Sequence, residues 1–190
     1  MSAVGMRHLV FAPITTHTDG SAITYGTGLA IDHAVRGDVT FNWSEGKSYA
    51  NDVEDDSYKK LLGADLEVES SVWPDNVMTM LGLAEETGSG TNIYSTVIAP
   101  DTEVGFGFIQ VLREERTTKY RAWWFHKVIF TPADVNAATQ EEDIDWTHAS
   151  LAGSAKVCYL ANNEVSAEHH EVFTTEAAAK TWLNGLAGIT

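Results

Sequence analysis

At 190 residues, with 44% hydrophobic and 21% charged residues, the chain has the size and composition to bury one sizeable core. Twelve Lys and Arg against 27 Asp and Glu leave a net charge of −15, which removes the cationic surface that a nucleic-acid binder uses to displace counterions. A single cysteine, Cys158, excludes an intrachain disulfide and a thiolate metal cluster. No stretch approaches the roughly 18 apolar residues of a membrane span. The opening MSAVGMRHLVFAPITTHTDG has too short an apolar centre for a signal peptide, so synthesis in the cytoplasm is expected.

Along the chain, the first clear signal is a period of two. Val39, Phe41 and Trp43 alternate with Thr40, Asn42 and Ser44, the pattern of a strand with one buried face. From Ser44 to Lys60 the sequence SEGKSYANDVEDDSYKK is polar and reads as a long loop, a feature that in small domains is usually functional or disordered. Leu66 and Val68 alternate with Glu67 and Glu69 and predict the next strand. Trp73-Pro74-Asp75 opens a short helix with Val77, Met80 and Leu81 on its buried side, and Gly82 stops it.

The second half continues in β character. Val104 to Leu112 (VGFGFIQVL) is apolar on both faces, with glycines that permit close backbone approach. Tyr120 to Phe130 (YRAWWFHKVIF) is the longest β-type run, ended by Pro132, and further strands are expected at Asp143–Trp146, Ala155–Ala161 and Glu171–Phe173. Thr175 to Leu186 predicts a helix: Thr174 or Thr175 caps it, Glu176 suits its dipole, and Trp182, Leu183 and Leu186 form its apolar stripe. The expected class is a β-rich α+β domain of antiparallel strands with a flanking C-terminal helix and one long inter-strand loop.

A search for chemistry finds no catalytic, cofactor or metal constellation. Asp52, Glu54, Asp55 and Asp56 lack the sixth-position glycine and twelfth-position glutamate of a calcium loop. His169 and His170 are adjacent and on a strand point to opposite faces, while His126 sits in an aromatic strand. Gly26-Thr27-Gly28 lacks the third glycine of a dinucleotide fingerprint, and there is no G-x-S-x-G elbow. The expectation is therefore a non-enzyme without cofactor or metal. Trp123 and Trp124 must face opposite ways, so one enters the core while the other lies on an outer face or under the C-terminal helix.

Taken in order, the parts resemble a known family. Residues Ile23 to Leu83 combine a Tyr-Gly opening strand, an alternating strand, the Tyr-Ala-Asn-Asp segment, Gly-Ala-Asp-Leu-Glu, the Asp75 helix and Leu81-Gly82. The second half adds VGFGFIQV, KYRAWWFHKVIF before Pro132, TQEEDIDW leading to Leu151-Ala152-Gly153, and Phe173-Thr-Thr opening an Ala-rich helix. This arrangement resembles the major tail proteins of phages with long, non-contractile tails. The resemblance implies one tail-tube domain over residues 1–190, a β-sandwich or open barrel that assembles into stacked, commonly hexameric rings. It implies a virion-tail location, partners among tail-tip, tape-measure and tail-terminator proteins, no membrane, and a lumen through which DNA passes without specific binding. It also implies that the loop at 44–60 contacts the next ring, through Glu45, Lys47, Tyr49, Asn51, Asp52, Glu54, Asp55, Asp56 and Tyr58. The first twenty residues have no counterpart in the pattern and are expected to form an N-terminal arm. The residues alone also admit a β-sandwich carbohydrate- or ligand-binding module with a groove lined by Trp43, Trp73 or Trp123.

Overall fold

The computed structural model describes residues 2–50, 53–87, 90–93, 101–132, 148–161 and 164–189. Its elements in chain order are β1 (Ser2–Thr16), β2 (Thr24–Tyr25), β3 (Leu29–Ile31), β4 (Ala34–Ala50), β5 (Val53–Ser70), α1 (Asp75–Met80), β6 (Ala84–Thr87) and β7 (Gly90–Ile93). Then follow β8 (Glu103–Glu114), β9 (Thr117–Pro132), β10 (Ala149–Lys156), β11 (Cys158–Tyr159), β12 (Val165–Ser166), β13 (Glu168–Phe173) and α2 (Glu176–Leu186). The fold is thus mostly antiparallel sheet with a C-terminal helix, in keeping with the class expected from the sequence.

The main sheet runs β2-β1-β8-β9-β10-β5-β4, with β3 also on β1 and β13 also on β9. Strands β10 and β13 lie end to end along one edge of β9, pairing with residues 128–132 and 120–125. Two small hairpins, β6–β7 and β11–β12, stand apart from it. The expected strand at Ala155–Ala161 is divided between β10 and β11, and the one at Asp143–Trp146 lies outside the described residues.

Both faces of the sheet centre are covered, which is why the middle of β8, Val104 to Ile109, is apolar and buried on both faces. On one face Leu9, Phe11, Phe106, Phe125, Phe130, Leu66 and Val68 pack with Val77 and Leu81 around α1. On the other, Val10, Ala12, Ile109, Ala122 and Trp124 meet Ala179 and Leu183 of α2 and Ala187 just after it. The pleat assigns the adjacent tryptophans accordingly: Trp124 is sealed beneath α2, and Trp123 lies half-buried on the α1 side. Gly107 makes the helix contact possible. A Cβ there would sit 2.7 Å from Leu183 Cδ2 and 2.8 Å from the Trp123 carbonyl oxygen.

Local signals account for the helices. Thr175 caps α2 by accepting a hydrogen bond from the Ala178 amide at 3.3 Å. The helix buries Ala179 and Leu183, with Ala187 beyond its end, whereas Trp182 is half-buried against Phe173 and His169. Helix α1 stops at Leu81, and Gly82 follows in the left-handed region at φ +71°.

Two expectations are corrected here. The first twenty residues are no arm: β1 is an interior strand between β8 and β3, and Leu9, Val10, Phe11 and Ala12 are fully buried. An apolar run covered on both faces cannot be spared from the core. The stretch 44–60 is no loop either, because β4 and β5 pair continuously from Ala34↔Ser70 out to Ala50↔Val53. Its polar composition hid the strands, since Ser44 to Lys47 and Tyr58 to Lys60 are exposed and no period of two is imposed there.

Candidate assembly surface

The outer half of β4–β5 is a two-stranded arm. Strand β10 pairs with β5 only over residues 63–70, and β4 is the last strand of the sheet order. Residues 43–62 therefore carry free backbone edges among the described residues. The arm leaves the body at Gly63, where a Cβ would lie 2.4 Å from the Ala155 carbonyl oxygen. Irregular register between Asn42 and Trp43, and again between Ser48 and Tyr49, adds bulges that increase local twist.

The arm extends the core-facing stripe of β4 into the open. Val39 and Phe41 pack against the core, and Phe41 lies 6.3 Å from Trp123. Trp43, two residues on, is 60% exposed. The alternation that predicts its burial is real, but the body ends before it. Across from Trp43 stands Leu61, and Glu45 opposes Lys59 with 3.9 Å between their charged atoms. Together Trp43, Glu45 and Lys59 border a hollow of about 310 Å³. Tyr58, opposite Gly46, is 67% exposed and Leu62 57%. Ion pairs of Glu45 with Lys47 and Lys59, both at 3.9 Å, are exposed and contribute about 0–1 kcal/mol each.

The described residues among those expected from the sequence to make contacts thus fall on the β4–β5 hairpin. Glu45, Lys47 and Tyr58 are on its surface. Tyr49 pairs with Glu54, Ser48 pairs with Asp56, and Asp55 falls at the bulge between them. Asn51 and Asp52 lie outside the described residues. Leu62 was missed, and Trp43 was named only as a strand residue and as a candidate lining of a ligand groove; the available signal is that both border the polar run Ser44 to Lys60.

Other candidates are tied into the body. Trp73 donates its indole N–H to the Ala149 carbonyl at 2.9 Å and meets Phe11 edge-on. Trp123 donates to Gln110 Oε1 at 3.3 Å and is covered by Phe41, Phe108, Phe125, His170 and the Arg121 guanidinium. The three tryptophans do not form a shared groove. Cys158 is buried, and burial pushes its thiol up from the usual range. Among the described residues no group of three His, Cys, Asp or Glu is arranged to hold a metal ion, and no helix is long and apolar enough to cross a membrane.

A polar cluster fixes α2 to β1. His8, at φ +53°, brings Nδ1 to 2.8 Å from Asp32 Oδ1 and Nε2 to 2.9 Å from Asn184 Oδ1. Arg7 donates to Glu176 at 2.6 Å and Lys180 to Asp32 at 3.1 Å. Residues 176, 180 and 184 form one face of the helix at a spacing of four. The His8 hydrogen bond, with help from Lys180, holds the Asp32 carboxyl below the usual carboxylate range. Every member has a partner within the cluster, so its evident role is to position the helix.

Compared with known proteins, the chain matches no family model, and no curated protein sequence matches it.

Proposed function

We propose that this chain is the repeating structural subunit of a phage tail tube, which stacks in rings through its β4–β5 arm. In this reading the main sheet is an open barrel. Its β1 and β4 margins approach each other where Met6 meets Gly37, and α2 flanks the outside. The observation that carries the reading is the arm: paired strands of 17 and 18 residues whose outer half exposes Trp43, Tyr58 and Leu62. An isolated two-stranded hairpin is marginal in water, and free strand edges are liabilities in a monomer. Both are resolved if a neighbouring copy covers the arm. The order of sequence parts supplies the ring and tube, commonly hexameric. The net charge of −15 suits a DNA duct, since a lumen of negative potential repels phosphate and keeps transit fast.

Electron microscopy of the purified chain at high concentration, with and without tail-tip initiator proteins, tests the proposal. Rings or tubes of uniform diameter are expected. A variant lacking residues 51–58 is expected to stay folded but not to stack. Persistent monomers with initiator present, or sugar binding by the monomer through Trp43, would replace this reading with that of a binding module.

A further inference from the structure

A cleft of about 260 Å³ opens beside α2, remote in sequence from the arm. Ile23 and Leu186 give it apolar walls, and Tyr25 with Trp124 forms its base. The base is internally satisfied: the Trp124 indole N–H donates to the Tyr25 hydroxyl at 3.2 Å, and that hydroxyl donates to the His126 carbonyl at 2.9 Å. Burial holds the Tyr25 phenol at about 12, so it stays protonated and structural.

The remaining polar groups face the opening. The His126 imidazole, the Glu164 carboxylate and the His169 imidazole line the same cleft, and none has a hydrogen bond or ion pair to another described residue. The His169 and Trp182 rings meet in a T-shaped contact with 5.3 Å between centroids. Burial lowers His126 to about 4, with the neighbouring His169 adding to the effect. At neutral pH it therefore presents a lone pair and one N–H, without charge. No Lys or Arg lines the cleft among the described residues. The opening offers mostly acceptors and a single negative charge.

Size and polarity together narrow the occupant. The volume lies just below the roughly 300–1,000 Å³ of pockets for drug-sized ligands, so a nucleotide or oligosaccharide is too large. Glu164 repels anions. We propose that the cleft binds an organic cation the size of one side chain, an ammonium or guanidinium on a short apolar stem. The stem rests against Ile23 and Leu186, and the N–H groups are donated to His126, His169 and Glu164. The cation is either a free amine or the end of a Lys or Arg side chain from a second copy. This site does not depend on the tube reading.

Titration of the full chain with agmatine at pH 8, followed by calorimetry and tryptophan fluorescence, tests it, with n-butyrate as the anionic control of similar stem. Saturable one-site binding of agmatine and none of butyrate is expected. Glu164→Gln, at an exposed position that leaves the fold intact, should weaken binding at least about tenfold, and His126→Phe should abolish it. Loss of self-association on adding agmatine identifies the cation as a neighbour's side chain; unchanged self-association identifies a free amine. No saturable binding, equal binding of butyrate, or full affinity in Glu164→Gln would overturn the proposal.

Discussion

The centre of the sheet and the β4–β5 arm are built from the same backbone pairing but solve different problems. At the centre, β8 and β9 are closed on both faces, and Phe106, Trp124 and Phe125 are at most 1% exposed. Along the arm, pairing continues while packing stops, and Trp43 stands 60% exposed. Hydrogen-bonded strands alone contribute little net stability, because water satisfies the same groups in the unfolded chain. Burial of apolar area is what holds the centre. The arm lacks it, so its large apolar residues stand exposed, and in the proposed reading a neighbouring copy covers them.

Substitutions should divide along that line. The largest effect is expected from Trp124→Ala, which opens a cavity under α2 and removes the indole donor to Tyr25; a loss of about 3–5 kcal/mol in denaturant unfolding is expected. A loss below about 1 kcal/mol would mean that α2 is not packed as described.

Acid should act on the same half of the molecule. His126 binds a proton near 6.5 when unfolded and only near 4 when folded. Between these values the unfolded state carries more protons, so stability falls as pH drops from 6.5 towards 4. The contribution approaches about 2–3 kcal/mol after allowing for solvent screening. In His126→Gln the slope of unfolding free energy against pH over this window should flatten; an unaltered slope would place the imidazole in solvent.

A smaller loss, about 1–3 kcal/mol, is expected for Gly107→Ala, because the new methyl meets the Trp123 carbonyl and Leu183. Its melting temperature measures how far α2 can give. An unchanged value would show that the helix shifts without cost.

The same contrast explains what was legible in the sequence. Strands β8 and β9 and helix α2 were readable because burial writes itself into composition and period. The arm was not, since Ser44 to Lys47 and Tyr58 to Lys60 are exposed and the polarity of the segment looks like a loop. Trp43 misled for the opposite reason: it continues the alternation of Val39 and Phe41 beyond the edge of the body. Strand β1 was hidden because only a short part of it is apolar. Its apolar run, Leu9 to Ala12, follows His8, whose left-handed backbone coincides with an irregular register against β8. Of the candidate site, Glu45, Lys47 and Tyr58 were legible as members of one segment. Its hairpin geometry and its exposed Trp43 and Leu62 required the tertiary structure. The Trp123 and Trp124 alternation was legible, but which indole α2 would cover was not, because both faces of the sheet have a helix against them.

The smallest expected change in stability belongs to the most decisive variant. Trp43→Ser removes an exposed side chain from the arm and should alter unfolding free energy by less than about 0.5 kcal/mol. Sedimentation and electron microscopy of this variant beside the parent chain, under conditions in which the parent forms rings or tubes, measure the central claim. The account predicts a folded monomer with an unchanged melting temperature and no assembly. Rings or tubes indistinguishable from those of the parent would contradict it.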